Sequence, residues 1–320
     1  MLEYSFLTLI ALSAASAVLL CVNAVSLSNW MRLVDIPGER KVHRVATPLM
    51  GGLVLLLVFI PSATISVWLF SSERWVPSLL IWLGSIGVMA LVGIADDRHS
   101  LSPRVRLLIS FAVFIAAAGF DPTFNVRMLD FEYPRLSLGL GTWWLAIIFT
   151  MICCVGLVNA VNMADGKNGL VISLCLGWLA LLATRAPEAL LSVMLLLAVA
   201  LVVLLVFNLR GKLFLGDGGA YGLSCAIGLL SIMVYNSAGP HTVRAISADE
   251  LMALFAIPVA DSFRLTYVRL RQGRSPMSAD RNHLHHHLQD RFGWPTGLVV
   301  YLIIALLPAA ALMWIAPDGF

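Results

Sequence analysis

The chain has 320 residues, 60% of them hydrophobic and 12% charged, with mean hydropathy +0.90 and a formal net charge of +3. Soluble domains carry about a quarter of their residues as Asp, Glu, Lys and Arg, so this composition excludes one and predicts a polytopic membrane protein. The net charge says little about nucleic acid, and none is expected as a partner.

In chain order, apolar runs predict about ten spans, near 6–28, 49–70, 77–95, 107–120, 142–160, 169–185, 189–207, 218–236, 250–268 and 297–316. The first run is too long for a signal-peptide core and has no basic residue before it, which predicts a retained span. The fourth is short, as a tilted or partly interfacial segment would be. The connections 29–48, 96–106, 161–168, 208–217 and 264–296 hold all 21 Lys and Arg residues except Arg74, Arg127, Arg135, Arg185 and Arg244. That bias predicts that these five loops are cytoplasmic and both termini extracytoplasmic. The expected fold is all-α, with the spans in one bundle forming a single domain over 1–320, so that the five loops converge. On the outer side, 125–130 and 135–138, separated by Tyr133 and Pro134, predict a short β-hairpin on the membrane surface, an irregular loop being the alternative. Cys21, Cys153, Cys154, Cys175 and Cys225 lie in apolar runs without metal-ligand spacing and are expected to be small packing groups. Trp30, Trp75, Trp143, Trp144 and Trp294 flank spans and read as interfacial belt residues.

The unusual residues gather in the five loops. The first holds Lys41, His43 and Arg44 before Pro48 and the pair Gly51 and Gly52, a pattern for clamping phosphate or for ordinary positive-inside charge. The second starts with adjacent carboxylates, Asp96 and Asp97, which call for a cation: Arg98, Arg104 or a divalent metal. In the third, Asn159, Asn162 and Asp165 are spaced three apart and share one helix face if the helix continues to Asp165, before Gly166 and Gly169 break it. Polar groups leaving water need partners, so this row reads as a site. The fourth sets Asp217 among Gly211, Gly216, Gly218 and Gly219, which suits Mg²⁺ shared with substrate phosphates, or a simple helix cap. The fifth carries Arg281, His283, His285, His286 and His287, with no thiol and basic neighbours, which favours pyrophosphate contact over zinc. Asp261, three residues before Arg264 near the end of the ninth span, reads as half of a structural ion pair.

These motifs, from about Asp35 to Leu288, closely resemble the polyprenyl-phosphate N-acetylhexosamine-1-phosphate transferases, glycosyltransferase family 4. Lys41-x-His43 with Thr47-Pro48 and Gly51-Gly52, Asp96-Asp97 with Leu101-Ser102-Pro103 and Arg106, Asn159-x2-Asn162-x2-Asp165-Gly166, Leu215-Gly216-Asp217-x-Gly219 and His283-x-His285-His286 stand in the family order. The stretch from Ala279 to His286 is similar to the branch that primes O-antigen, enterobacterial common antigen or teichoic acid. It is less similar to the phospho-MurNAc-pentapeptide translocase branch of peptidoglycan synthesis, although His285, His286 and His287 also form a triplet. Asn168 stands where the family has an Asp, so no carboxylate role carries over to that position.

The resemblance implies transfer of a sugar-1-phosphate from a UDP-sugar to undecaprenyl phosphate, with release of UMP, at the cytoplasmic face of the bacterial inner membrane. It implies Mg²⁺, or Mn²⁺ in its place, held by Asp217 and Asn162, with Lys41, His43, Asn159, Arg281, His283, His285 and His286 binding substrate. Asp96 or Asp97 is the implied base, with positioning of Lys41 or the metal as the rival role; Asp165 contacts substrate or forms a phospho-enzyme, with direct displacement favoured. A homodimer fits the resemblance. The competing class, a multi-pass transporter or Mg²⁺ channel, predicts charged residues at mid-membrane depth, whereas the acids here gather at one face.

Overall fold

The computed structural model describes residues 2–36, 46–133, 135–237, 245–275 and 282–315, with side chains from Tyr4 onward. The protein is all-α and polytopic, and the described residues pack as two compact units: Met1–Ile109 with Glu188–Ala226, and Ser110–Pro187 with Ile227–Phe320. Nine helices among the described residues are long and apolar enough to cross a membrane.

The first unit begins with α1 (Leu2–Val22) and α2 (Ala24–Met31), joined at Asn23. The predicted first span is therefore two helices interrupted at Asn23, where the side chain bonds back to the chain. The Asn23 amide donates to the Leu19 carbonyl at 2.8 Å, competing with the backbone ladder at that turn. A two-residue ladder that the sequence does not announce follows, β1 (Val34–Asp35) paired antiparallel with β2 (Thr47–Pro48). The second span is α3 (Gly51–Phe70). It widens into a π-turn over Leu55–Phe59 just before Pro61, whose ring has no N–H and crowds the carbonyl four residues back. Next come α4 (Val76–His99) and α5 (Pro103–Phe120), whose first residues belong to this unit.

The second unit continues from α5 into the hairpin of β3 (Met128–Phe131) and β4 (Leu136–Gly139), registered Met128 to Gly139 and Phe131 to Leu136. The expected hairpin is thus present. Its strands have little side-chain burial to hold them, so polar groups do it. The Tyr235 hydroxyl accepts the Asp130 N–H and donates to the Met128 carbonyl, both at 2.8 Å, and Asp249 accepts the N–H groups of Glu132 and Tyr133. Then follow α6 (Trp143–Ala164) and α7 (Leu170–Ala183). At 14 residues α7 is about 21 Å long, short of the ~30 Å hydrocarbon core, so the sixth predicted run is a shorter apolar helix than its neighbours. Helix α8 (Glu188–Leu209) and α9 (Gly216–Tyr235) as far as Ala226 belong to the first unit and the rest of α9 to the second, and α9 is buried along its length, as a helix built from Gly, Ala and Ser permits. The rest of the second unit is α10 (Ala248–Arg271), α11 (Leu284–Phe292) and α12 (Thr296–Ile315).

Helix α10 contains Pro258, which cannot donate to the carbonyl of Leu254. The indole Nε1–H of Trp178, from α7, supplies that bond at 2.8 Å, and the ring packs edge-on against Phe255. Inside a membrane protein an orphan carbonyl costs several kcal/mol, roughly, so this indole is what makes the proline tolerable. A second tie is the pair of half-buried Arg185 and buried Glu250, 3.1 Å apart, in which Arg185 also donates to the Met313 carbonyl and Glu250 closes a capping box with Ser247.

Candidate active site

Each unit carries one cluster of the residues singled out in the loops. In the first unit the cluster is built where α9 begins. Asn208, buried at the end of α8, donates to the Leu213 carbonyl and so folds the chain back before α9. The returning segment is stitched to the first loop: Phe214 N–H to the Pro48 carbonyl, Met50 N–H to Phe214, and Gly51 N–H to Leu215, at 2.8, 3.0 and 3.0 Å. Gly216 then takes φ +71°, which favours glycine, and a Cβ there would press on the carboxylate of Asp97. At Gly93 in α4 a Cβ would fall on the backbone of Asp217, so only glycine lets the two helices approach so closely.

This approach gives Asp97 its partners. Its Oδ1 accepts the N–H of Asp217 at 2.9 Å and its Oδ2 that of Gly218 at 3.0 Å. A carboxylate at a helix N-terminus meets unsatisfied donors and the positive end of the dipole, so Asp97 caps α9 from 120 residues away. Asp217 itself stands half-buried on the first turn that Asp97 holds.

Asp96 has a different partner from the ones expected. Arg98 and Arg104 are exposed, and the cation beside Asp96 is Arg106, at 2.6 Å, from the first turns of α5. Tyr221, one turn into α9, completes the set: Arg106 donates to its hydroxyl at 2.9 Å, and the hydroxyl donates to Asp96 at 3.3 Å. In the sequence Arg106 stands out only as part of a motif, and Tyr221 belongs to none of the motifs. The sequence signal for Tyr221 is its spacing, four residues after Asp217, which puts both on one helix face.

In the second unit the cluster forms around α11. Helix α6 ends at Ala164, one residue earlier than the three-apart row requires, and Asp165 is its C-cap, with its N–H directed to Val161 and Asn162. Asn159 and Asn162 lie on the last turns, and the Asn159 amide donates to the Val155 carbonyl of its own helix. The loop then reverses at Gly169, φ +83°, to start α7. Trp294 is more than a belt residue, because its Nε1–H donates to the Asn168 carbonyl at 3.1 Å and ties that loop to the chain after α11.

His283 is the N-cap residue of α11, and its ring stacks parallel to that of His285, centroids 5.3 Å apart; His286 lies 4.3 Å from His285. His285 is 1% exposed and sits over Gly166, where a Cβ would collide with the imidazole. Burial, followed by the proximity of His286 and His283, pulls the His285 pKa from 6.5 down to about 3, so its ring is neutral at neutral pH. Its Nε2 is buried and has no hydrogen-bond partner among the described residues. His287 is exposed and bonded to Asn282. Asp261 does pair with Arg264, at 2.8 Å, and it also contacts His283. Lys41, His43 and Arg281 lie outside the described residues.

No cluster of three or more His, Cys, Asp or Glu side chains that could hold a metal occurs among the described residues. Mg²⁺ does not need such a cage, since one or two protein oxygens with waters and phosphate oxygens complete its shell. Asp217 fits that use, while Asp97, with both oxygens on backbone donors, does not.

The family model of glycosyl transferase family 4 matches residues 79–235, a stretch that runs from α4 through α9. The chain is 29% identical over 301 residues to an undecaprenyl-phosphate alpha-N-acetylglucosaminyl 1-phosphate transferase of Yersinia pestis, covering 88% of this chain and 75% of the relative. A probable undecaprenyl-phosphate N-acetylglucosaminyl 1-phosphate transferase of Bacillus subtilis (strain 168) is 29% identical over 292 residues, with 88% and 76% covered. For the Escherichia coli (strain K12) undecaprenyl-phosphate alpha-N-acetylglucosaminyl 1-phosphate transferase the values are 29% over 290 residues, with 88% and 74% covered.

Proposed function

We propose that this chain acts as a glycosyl transferase of family 4 and transfers an N-acetylhexosamine-1-phosphate from a UDP-sugar to undecaprenyl phosphate, as its similarity to that family and to the relatives above supports. A phosphate oxygen of the lipid attacks the sugar-bearing phosphorus of the donor, the bond from that phosphorus to the bridging oxygen breaks, and UMP leaves. The products are a lipid-linked sugar diphosphate, the first intermediate of a cell-surface glycan, and UMP. The observation that carries the reading is the presentation of Asp217 at the start of α9, fixed by Asp97 through two backbone N–H groups.

The first obstacle is electrostatic, because an anionic nucleophile approaches an anionic diphosphate. Mg²⁺, with Mn²⁺ as a substitute, would neutralise diphosphate charge, and Asp217 and Asn162 are the residues that would hold it. Lys41, His43, Asn159 and Arg281 are proposed to bind substrate with His283, His285 and His286. The buried, unpartnered Nε2 of His285 supports that role for the histidines. Asp165 is proposed to contact substrate without a covalent intermediate.

A general base has little to contribute. The second pKa of a phosphate monoester is about 6, so the acceptor is mostly dianionic at neutral pH. Asp96 is engaged by Arg106 and Tyr221, and Asp97 by α9, which favours positioning over proton abstraction for both. The excess of Lys and Arg in five alternate loops supports a site facing the cytoplasm of a bacterial inner membrane.

The test is UMP release by membranes carrying the chain, supplied with UDP-N-acetylhexosamines. Release that requires both Mg²⁺ and undecaprenyl phosphate, and that Asp217→Ala abolishes, is the expected result. Asp217→Ala membranes with wild-type rates and metal dependence would remove Asp217 from the site. A panel of donors in the same assay identifies the sugar.

A further inference from the structure

Asp261 has no task in the reaction as proposed, and as half of an ion pair with Arg264 it would be worth only a few tenths of a kcal/mol, roughly. Its surroundings are more elaborate than that pair needs. Its Oδ1 lies 2.8 and 3.1 Å from Nη2 and Nε of Arg264, its Oδ2 lies 3.0 Å from Nδ1 of His283, and both oxygens meet the N–H of Leu284, at 3.3 and 3.2 Å. Arg264 also donates to the carbonyl of Asn282. Helix α10 therefore grips three consecutive residues, Asn282, His283 and Leu284, at the entry to α11. The side chains of Asp261 and His283 are only 10% and 9% exposed, so the contact is screened little by water.

An ionised carboxylate accepts hydrogen bonds and donates none. Across 3.0 Å it therefore requires a proton on Nδ1 of His283, whether the ring is neutral or cationic. We propose that Asp261 is a positioning residue that fixes His283 with its proton on Nδ1, leaving Nε2 as the ring nitrogen that binds the donor diphosphate. The same carboxylate caps α11 through Leu284 and sets the stack of His283 on His285. This assignment rests on the proposed transferase reaction for the diphosphate, and on geometry alone for the tautomer.

Nitrogen-15 spectra of the full-length protein, labelled at histidine and held in lipid bilayers near neutral pH, read the tautomer directly, with His283→Gln identifying the resonances. A protonated, hydrogen-bonded Nδ1 is expected; a ring protonated on Nε2 alone overturns the proposal without any Asp261 variant. Asp261→Asn, nearly isosteric, is expected to shift those resonances and to lower kcat/KM for UMP release by about 10- to 100-fold, the range for a group that orients another. Combined with His283→Gln, it is expected to cost no more than His283→Gln alone. Multiplying losses in the double variant indicate a role in folding only and overturn the proposal. The spectra need no turnover, so the two readings fail separately. A protonated Nδ1 without UMP release overturns the reaction, and UMP release with an unprotonated Nδ1 overturns the role of Asp261.

Discussion

Asp97 and Asp217 meet through the backbone of one and the side chain of the other. The carboxylate of Asp97 accepts the N–H of Asp217 at 2.9 Å and that of Gly218 at 3.0 Å, so the first turn of α9 is held by the end of α4. The acid pair of the second loop and the glycine-flanked acid of the fourth are thus one construction. Asp261 and the start of α11 repeat the device in the other unit, with Leu284 as the capped donor.

Asp97→Asn keeps the shape of the cap but removes its charge and one of its two acceptors. The expected cost is about 1–2 kcal/mol of stability, in line with lost helix caps and charge-assisted bonds. UMP release is expected to fall by about 10-fold or more, because a shift of 1 Å at a reacting group is enough for that. Thermal unfolding in detergent and initial rates in membranes check both numbers; a variant with wild-type values has no cap worth the name.

Gly93→Ala places a Cβ on the backbone of Asp217 and Gly218, where no flexible side chain can yield. A loss of about 1–3 kcal/mol is expected, the usual cost of overpacking, with poor recovery of folded protein. Gly84 in the same helix has open space around it, so Gly84→Ala is the matched control and should unfold at or above the wild-type temperature. Size-exclusion profiles against temperature separate the two.

His285 makes stability depend on pH. Its folded pKa, about 3, lies below its unfolded value, so between about pH 6.5 and 3 the unfolded chain binds the proton that the folded chain refuses. Stability from this group is complete above the unfolded pKa and is lost as pH falls through that window, at up to about 1.4 kcal/mol per pH unit. His285→Gln should flatten the acid limb of an unfolding-temperature curve relative to wild type. Parallel curves would mean that the ring is not buried in the neutral form.

Trp178→Phe removes the donor that serves the Leu254 carbonyl, and a destabilisation of about 1–3 kcal/mol is expected for the stranded group. Pro258→Ala restores the in-helix donor to that same carbonyl. The double variant should therefore recover stability that Trp178→Phe alone loses, and the unfolding temperatures of the four proteins in the cycle test it.

Much of the fold and of the candidate site was legible in the sequence. Hydropathy runs located the long helices, and the turn residues between 125 and 138 indicated the hairpin of β3 and β4. The motifs picked out Asp96, Asp97, Asp217, His283, His285 and His286, and the resemblance they carried agrees with the family match. Periodicity alone could not see the local exceptions: Asn23 interrupts the first span, α7 is short, and α6 stops before Asp165. Arg106 rather than Arg98 or Arg104 pairs with Asp96, because ten residues of chain separate the partners and a turn reverses between them.

What the sequence determined by itself was the partition of the chain between hydrocarbon and water, since transfer of a side chain depends on its own chemistry and that of its neighbours along a helix. It also determined which polar residues stand too close to apolar runs to lack partners. Only the tertiary structure decided who those partners are. Hydrogen bonds act over about 3 Å in space whatever the distance along the chain, so Asp97 on Asp217, Asp261 on His283 and Trp178 on Leu254 each required the helices to be packed first.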